Sequence, residues 1–156
     1  MSDQKKRKRS GSQPKTKLKK LKAALNAEQA ILQIALEHTE EGDKTCLGLV
    51  EGASERFEFS DRSLKVPHIG WNELTINRPH PMLENIQSGD EFYFVHSYFA
   101  RPVNSHHMVG TTEYGDKTFC SVIARDNLFA TQFHLEKSGA LGLKLLSAFK
   151  HWDATC

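Results

Sequence analysis

The sequence predicts an α/β fold, a mixed sheet with flanking helices, on three observations. Apolar residues at Leu21, Leu25, Leu32 and Leu36 recur at helical spacing near the start. Leu141, Leu145, Leu146 and Phe149 do the same near the end. Between them lie short runs rich in β-branched and aromatic residues, broken by turn-forming residues. The 156 residues suffice for one domain with a true core.

In chain order, a helix is predicted over residues 18–38, followed by a turn at Glu40 to Lys44. Strands are expected at 47–50 and 55–59. A loop containing Pro67, Pro79 and Pro81 then leads, through the turn Ser88-Gly89-Asp90, into a strong strand at 92–98. Two more strands, 118–124 and 128–133, are joined by Arg125-Asp126-Asn127 as a hairpin. These three strands are expected to share one sheet. Ser138 is placed to cap a last helix running to Lys150, packed on that sheet. There is no internal repeat.

Charge divides the chain. Residues 1–22 hold ten Lys or Arg and one Asp, a balance of +9, whereas residues 23–156 balance at −7, giving +2 in all. We read 1–22 as a basic tail, disordered at least to Pro14, and 23–156 as the domain. The tail reads as a solvated extension in place of catalytic-domain sequence, or as a nucleic-acid attachment or nuclear address. No aromatic is interleaved for base stacking, so nucleic acid is not the expected partner. No apolar run is long enough for a membrane span, and no signal-peptide pattern is present. The thiols Cys46, Cys120 and Cys156 have no metal-site spacing and fit the reduced thiols of a cytoplasmic protein. His106-His107 has no carboxylate or thiol at ligand spacing and reads as a loop.

The chemistry-bearing stretch is Gln132-Phe133-His134-Leu135-Glu136-Lys137-Ser138. A histidine and a glutamate two residues apart at a strand end point the same way and can hold an imidazole that activates a nucleophile. On a surface loop the same pair is an ordinary polar turn.

Four segments occur here in one order: Val66-Pro67-His68-Ile69-Gly70-Trp71-Asn72, Tyr93-Phe94-Val95-His96-Ser97-Tyr98, Ala124-Arg125-Asp126-Asn127 and Gln132 to Ser138. Together they closely resemble the glutaminase subunit of imidazole glycerol phosphate synthase, a class I glutamine amidotransferase of histidine biosynthesis. The resemblance runs from about Ile34 to Trp152 and implies the carboxy-terminal portion of that family's flavodoxin-like domain. The family's proline between histidine and glutamate is Leu135 here. Its Gly-x-Cys-x-Gly nucleophile turn would fall at Ala27 to Ile31, where Gln29 stands at the cysteine and neither glycine is present. That turn needs small residues because it is tight and strained. Cys46, in Cys46-Leu47-Gly48, matches a later strand and is read as a decoy rather than the nucleophile.

The resemblance implies roles for matched positions. His134 would be the base, and Glu136 the carboxylate that fixes its tautomer. Gln33, His96, Ser97 and Tyr98 would line the glutamine site, although His96 also reads as a satisfied core histidine. Trp71 and Lys137 would face a cyclase subunit, a (β/α)8 barrel that consumes the ammonia; Trp71 also reads as a partly buried aromatic. No cofactor and no metal are implied. With Gln29 unable to act as a thiolate, the chain is expected to be inactive as a glutaminase. The alternatives are a non-catalytic cyclase-binding remnant and a nucleic-acid-binding protein acting through the basic tail.

Overall fold

The computed structural model describes residues 31–154. The basic tail, Gln29 and the rest of 27–30, and Cys156 lie outside these residues. Among them the order is α1 (Ile31–Ile34), β1 (His38–Thr39), β2 (Lys44–Thr45), β3 (Gly52–Arg56), β4 (His68–Glu73), β5 (Thr75–Ile76), β6 (Glu91–His96), β7 (Tyr98–Pro102), β8 (Met108–Tyr114), β9 (Lys117–Arg125), β10 (Leu128–Thr131) and α2 (Gly139–His151). The main sheet runs β2-β1-β3-β7-β9-β8-β5, with β10 added to β9; β4 and β6 form a second, two-stranded sheet. The main sheet is mixed: β1 and β3 are parallel and the other pairs antiparallel.

Helix α1 stops at Ile34, short of the predicted His38, because its last carbonyls are taken by another segment. Leu47 N–H donates to Ile34 O, Gly48 to Leu36 O, Leu49 and Val50 to Ala35 O, and Cys46 to Glu37 O. An α-helix would direct those carbonyls to residues four further on. The same bonds explain why 47–50, predicted as a strand, is instead a loop wrapped on the helix end. The strand expected at 55–59 starts earlier, at Gly52. A Cβ there would lie 2.4 Å from Arg101 O, and its φ of 143° lies in the region that favours glycine. The Glu40 to Lys44 turn is present, with Gly42 and Asp43 at positive φ.

The largest departure is at 92–98. The strand is broken at Ser97: β6 pairs with β4 in the small sheet, while β7 pairs with β3 and β9 in the main one. The three strands expected in one sheet are thus divided. The hairpin of β9 and β10 is as expected, with Asp126 at φ 52° in its turn. Strand β8 was not foreseen, nor were β4 and β5 inside the supposed connecting loop.

Strand β9 is buried from Phe119 through Ala124 because apolar clusters cover both its faces. On one side Phe57, Phe92, Phe94, Phe99, Phe119 and Phe133 join Leu145 of α2. On the other, Leu32 and Leu36 cover Ala100, Cys120, Ile123 and Ala130. Each fully buried aromatic of this kind contributes on the order of 1.5–3 kcal/mol.

Candidate functional site

After β10 the chain bends and Leu135–Lys137 forms one 3₁₀ turn, with His134 in extended conformation just before it. Two bonds clamp this turn to β6 and a third closes it on itself. His134 N–H donates to Tyr93 O at 2.9 Å, Tyr93 N–H donates to Ser138 Oγ at 3.1 Å, and Ser138 Oγ donates to His134 O at 2.6 Å. The Ser138 hydroxyl is therefore committed to the clamp and makes no capping bond to α2, contrary to its predicted use. Gly142 lets the helix sit tight under the turn: a Cβ there would be 2.0 Å from Leu135 O. Leu135 stands at the first position of the turn, where proline's fixed φ is favoured. The turn forms without it.

The clamp presents His134 and Glu136 side by side, Nδ1 to Oε1 at 2.8 Å. A carboxylate can only accept, so Nδ1 carries a proton, and in the neutral imidazole Nε2 keeps a lone pair. Partial burial pushes the Glu136 carboxyl up, but its own backbone N–H, the His134 bond and the charges of His134 and Lys137 outweigh this and hold it below the ordinary value. The pair is open to solvent, with side-chain exposures of 26% and 66%.

Gln33, on α1, is buried, and its Nε2 donates to Tyr98 O and, at 3.3 Å, to Gln132 Oε1. Gln132 stands two residues before His134, so the expected glutamine-site residues Gln33 and Tyr98 are joined to the segment that leads from β10 to His134. His96 Nδ1 also bonds Tyr98 O, at 2.8 Å, and its Nε2 lies 3.0 Å from His68 Nδ1. Burial pushes the His96 imidazole down to about 3 and that of His68 to about 4. His96 is thus a hydrogen-bonded core histidine adjoining the site. Ser97 sits at the corner between the two sheets, its carbonyl accepting from Phe57 N–H at 2.9 Å.

Trp71 and Lys137 converge on a residue that sequence reasoning did not assign. The Trp71 ring meets Tyr93 edge-on at 5.8 Å, and Lys137 Nζ lies 5.8 Å from the Tyr93 ring centre. Register places Ile69 opposite Val95 and Trp71 opposite Tyr93, so these four share the outer face of the small sheet. Trp71 is 53% and Ile69 59% exposed. The strict alternation of β6, buried at Phe92, Phe94 and His96, was the available signal for Tyr93 and Val95 as the outward set.

Cys46 lies in the loop beyond β2, with no helix following it, and its Sγ faces Lys44 O at 3.8 Å. Burial raises its thiol pKa, the opposite of nucleophile activation. Cys120 is buried in β9 and pushed up to about 12 by desolvation. No group of three potential metal ligands occurs among the described residues, His106 and His107 included. A groove of about 610 Å³ between β3, β7 and β9 is lined by Glu55, Arg101 and Phe119 among others, and by none of the residues expected at the site.

Comparison with known proteins bears on the family. The family model described as glutamine amidotransferase class-I matches residues 15–151. The chain is 46% identical over 126 residues to the imidazole glycerol phosphate synthase subunit HisH of Aromatoleum aromaticum, covering 77% of this chain and 59% of that protein. For the HisH of Thiobacillus denitrificans the values are 44% over 128 residues, 78% and 56%. For that of Acinetobacter baylyi they are 48% over 124 residues, 78% and 60%. The chain thus spans less than two thirds of the length of these relatives. The mixed sheet with its flanking helices, the ordered motifs and these matches agree: the chain belongs to the class I glutamine amidotransferase family.

Proposed function

We propose that this chain carries the base, substrate-lining and partner-facing parts of the glutaminase subunit of imidazole glycerol phosphate synthase, and that it does not itself turn over glutamine. The observation that carries the reading is the 2.8 Å bond from His134 Nδ1–H to Glu136. It leaves Nε2 as the atom that would take a proton from a thiol and return it to the departing ammonia. Gln33 and Tyr98, tied through their own hydrogen bond, would line the glutamine site with His96 and Ser97. The outer face of the small sheet, with Trp71 and the adjacent Lys137, would receive the cyclase barrel. Its exposed aromatic and aliphatic side chains beside a cation have the composition of an interface core.

Inactivity follows from chemistry at one position. The family's thiol position is Gln29, and an amide is no thiolate. His134 and Glu136 could then only orient water against an unactivated amide. No helix among the described residues is long and apolar enough to cross a membrane, and a cytoplasmic location is part of this reading.

Ammonia release from glutamine, for the wild type and His134→Ala with and without cyclase, tests it. Neither protein should give turnover. Turnover lost in His134→Ala would overturn the inactive assignment and direct attention to Cys46. Cyclase pull-down tests the partner: wild-type capture, weakened by Trp71→Ala, is expected. No capture of the wild type would remove the cyclase from the reading.

A further inference from the structure

Between the two sheets runs a chain of side chains, two of them buried, whose every proton is fixed by its neighbours. At one end Asn72 Oδ1 accepts from Glu73 N–H at 2.8 Å, which identifies the other amide atom as Nδ2. That Nδ2 donates to Glu113 O at 2.8 Å and lies 3.3 Å from His68 Nε2. Its second proton therefore points at His68 Nε2, which must be bare. At the other end His96 Nδ1 faces Tyr98 O at 2.8 Å, and a carbonyl only accepts, so His96 carries its proton on Nδ1 and its Nε2 is bare. The central contact, His68 Nδ1 to His96 Nε2 at 3.0 Å, then runs in one direction, with His68 donating.

Packing holds the rings in this register. His68 is sandwiched between Tyr114, centroids 4.0 Å apart, and Phe94 at 5.1 Å, both nearly parallel to it. His96 is enclosed by Phe57 at 5.2 Å and Phe119 at 5.0 Å. The two histidines are only 3% and 6% exposed. A second proton on either ring would set N–H against N–H, so the relay exists only with both rings neutral.

We infer that Asn72, His68 and His96 are positioning residues, forming a one-way hydrogen-bond relay that fixes the Tyr98 carbonyl and, through it, the Gln33 side chain. The relay begins next to Trp71 on β4 and ends at the carbonyl that Gln33 Nε2 also bonds. It crosses the corner at Ser97, where the chain leaves the small sheet for the main one. Its functional consequence, orientation of the residues that line the glutamine site, rests on the function proposed above. Its existence does not.

The test uses the full chain, labelled for nitrogen NMR of the imidazoles and side-chain amides. Both His68 and His96 should be Nδ1–H tautomers and stay neutral from pH 8 to 5. An Nε2–H tautomer for either ring would overturn the relay, and this measurement needs no variant. Asn72→Asp replaces the donor by an acceptor and should reverse the sequence: His68 turns to Nε2–H, Tyr98 O loses its His96 partner, and the Gln33 side-chain amide resonance shifts. An unmoved Gln33 amide in a folded Asn72→Asp protein would overturn the positioning role. In the same samples, glutamine affinity by calorimetry should weaken about tenfold, the loss of one ordinary hydrogen bond. Failure of the wild type to bind glutamine would count against the proposed function. The tautomers and the Gln33 resonance would still decide the relay.

Discussion

Two imidazole pairs lie within a few residues of the same strand, β6, and differ in one physical respect. His134 and Glu136 meet at 2.8 Å on an exposed 3₁₀ turn; His68 and His96 meet at 3.0 Å among three phenylalanines and a tyrosine. In the first pair the imidazole donates to a carboxylate beside open water. In the second, low dielectric and a carbonyl at the end of the relay allow one neutral arrangement only. Similar bond lengths thus serve an exposed pair, to which we assign proton transfer, in one place and a fixed strut in the other.

The largest expected effect concerns the first pair and the thiol it would serve. Ammonia release should be undetectable because loss of a nucleophile alone costs on the order of 10⁶ in kcat. Installing Cys at Gln29 should not restore it, since the resemblance puts Ala27 and Ile31 where the family's turn has glycines. Measured turnover by Gln29→Cys would show that the exposed pair needs only a thiol.

Next comes removal of a strut member. His96→Ala leaves His68 Nδ1–H without its acceptor and opens a cavity among Phe57, Phe94 and Phe119. We expect about 3 kcal/mol of lost stability by denaturant unfolding. A loss below about 1 kcal/mol, the level of a surface change, would erase the distinction between the pairs.

The strut also sets a pH dependence with a definite sign. Both imidazoles have folded values below the ordinary 6.5, at about 4 for His68 and about 3 for His96, each chiefly through burial. As pH falls below 6.5 the unfolded chain takes up protons that the folded one refuses. Stability is therefore full above 6.5 and declines as the pH falls towards 4, by roughly 2 kcal/mol per imidazole at pH 5. Unfolding free energies at pH 7.5 and pH 5 measure this. Replacement of His68 and His96 by Gln should flatten the slope in that window.

These pairs also mark what the sequence could disclose. His134 and Glu136 are two residues apart, and their meeting follows from local geometry after a strand. Asn72 and His68 meet Glu113 and His96 only through pairing of β4 with β6 and contact with β8, across 41 and 28 residues. The register that creates the relay is not written in either segment alone. The same holds for Ser97, where an unbroken strand pattern conceals a change of sheet. Elements with local signals, such as the β9–β10 hairpin and the last helix, were legible. Strand β8 was not: Met108-Val109-Gly110-Thr111-Thr112 carries a glycine and a register shift in its ladder, so its alternation is broken.

The smallest expected effect concerns the exposed pair's contribution to folding. In Glu136→Gln the side-chain carbonyl can still accept from His134 Nδ1–H, but the negative charge is gone. Because Glu136 is 66% exposed, solvent screens most of the attraction, and stability should change by less than about 1 kcal/mol. The clamp of His134 and Ser138 on Tyr93 uses backbone atoms and one hydroxyl, none of which this substitution touches. The turn should therefore keep its shape, read as unchanged amide shifts for Tyr93 and Ser138. A large stability loss with shifted Tyr93 and Ser138 amides would mean that the ion pair, and not the backbone clamp, builds the turn.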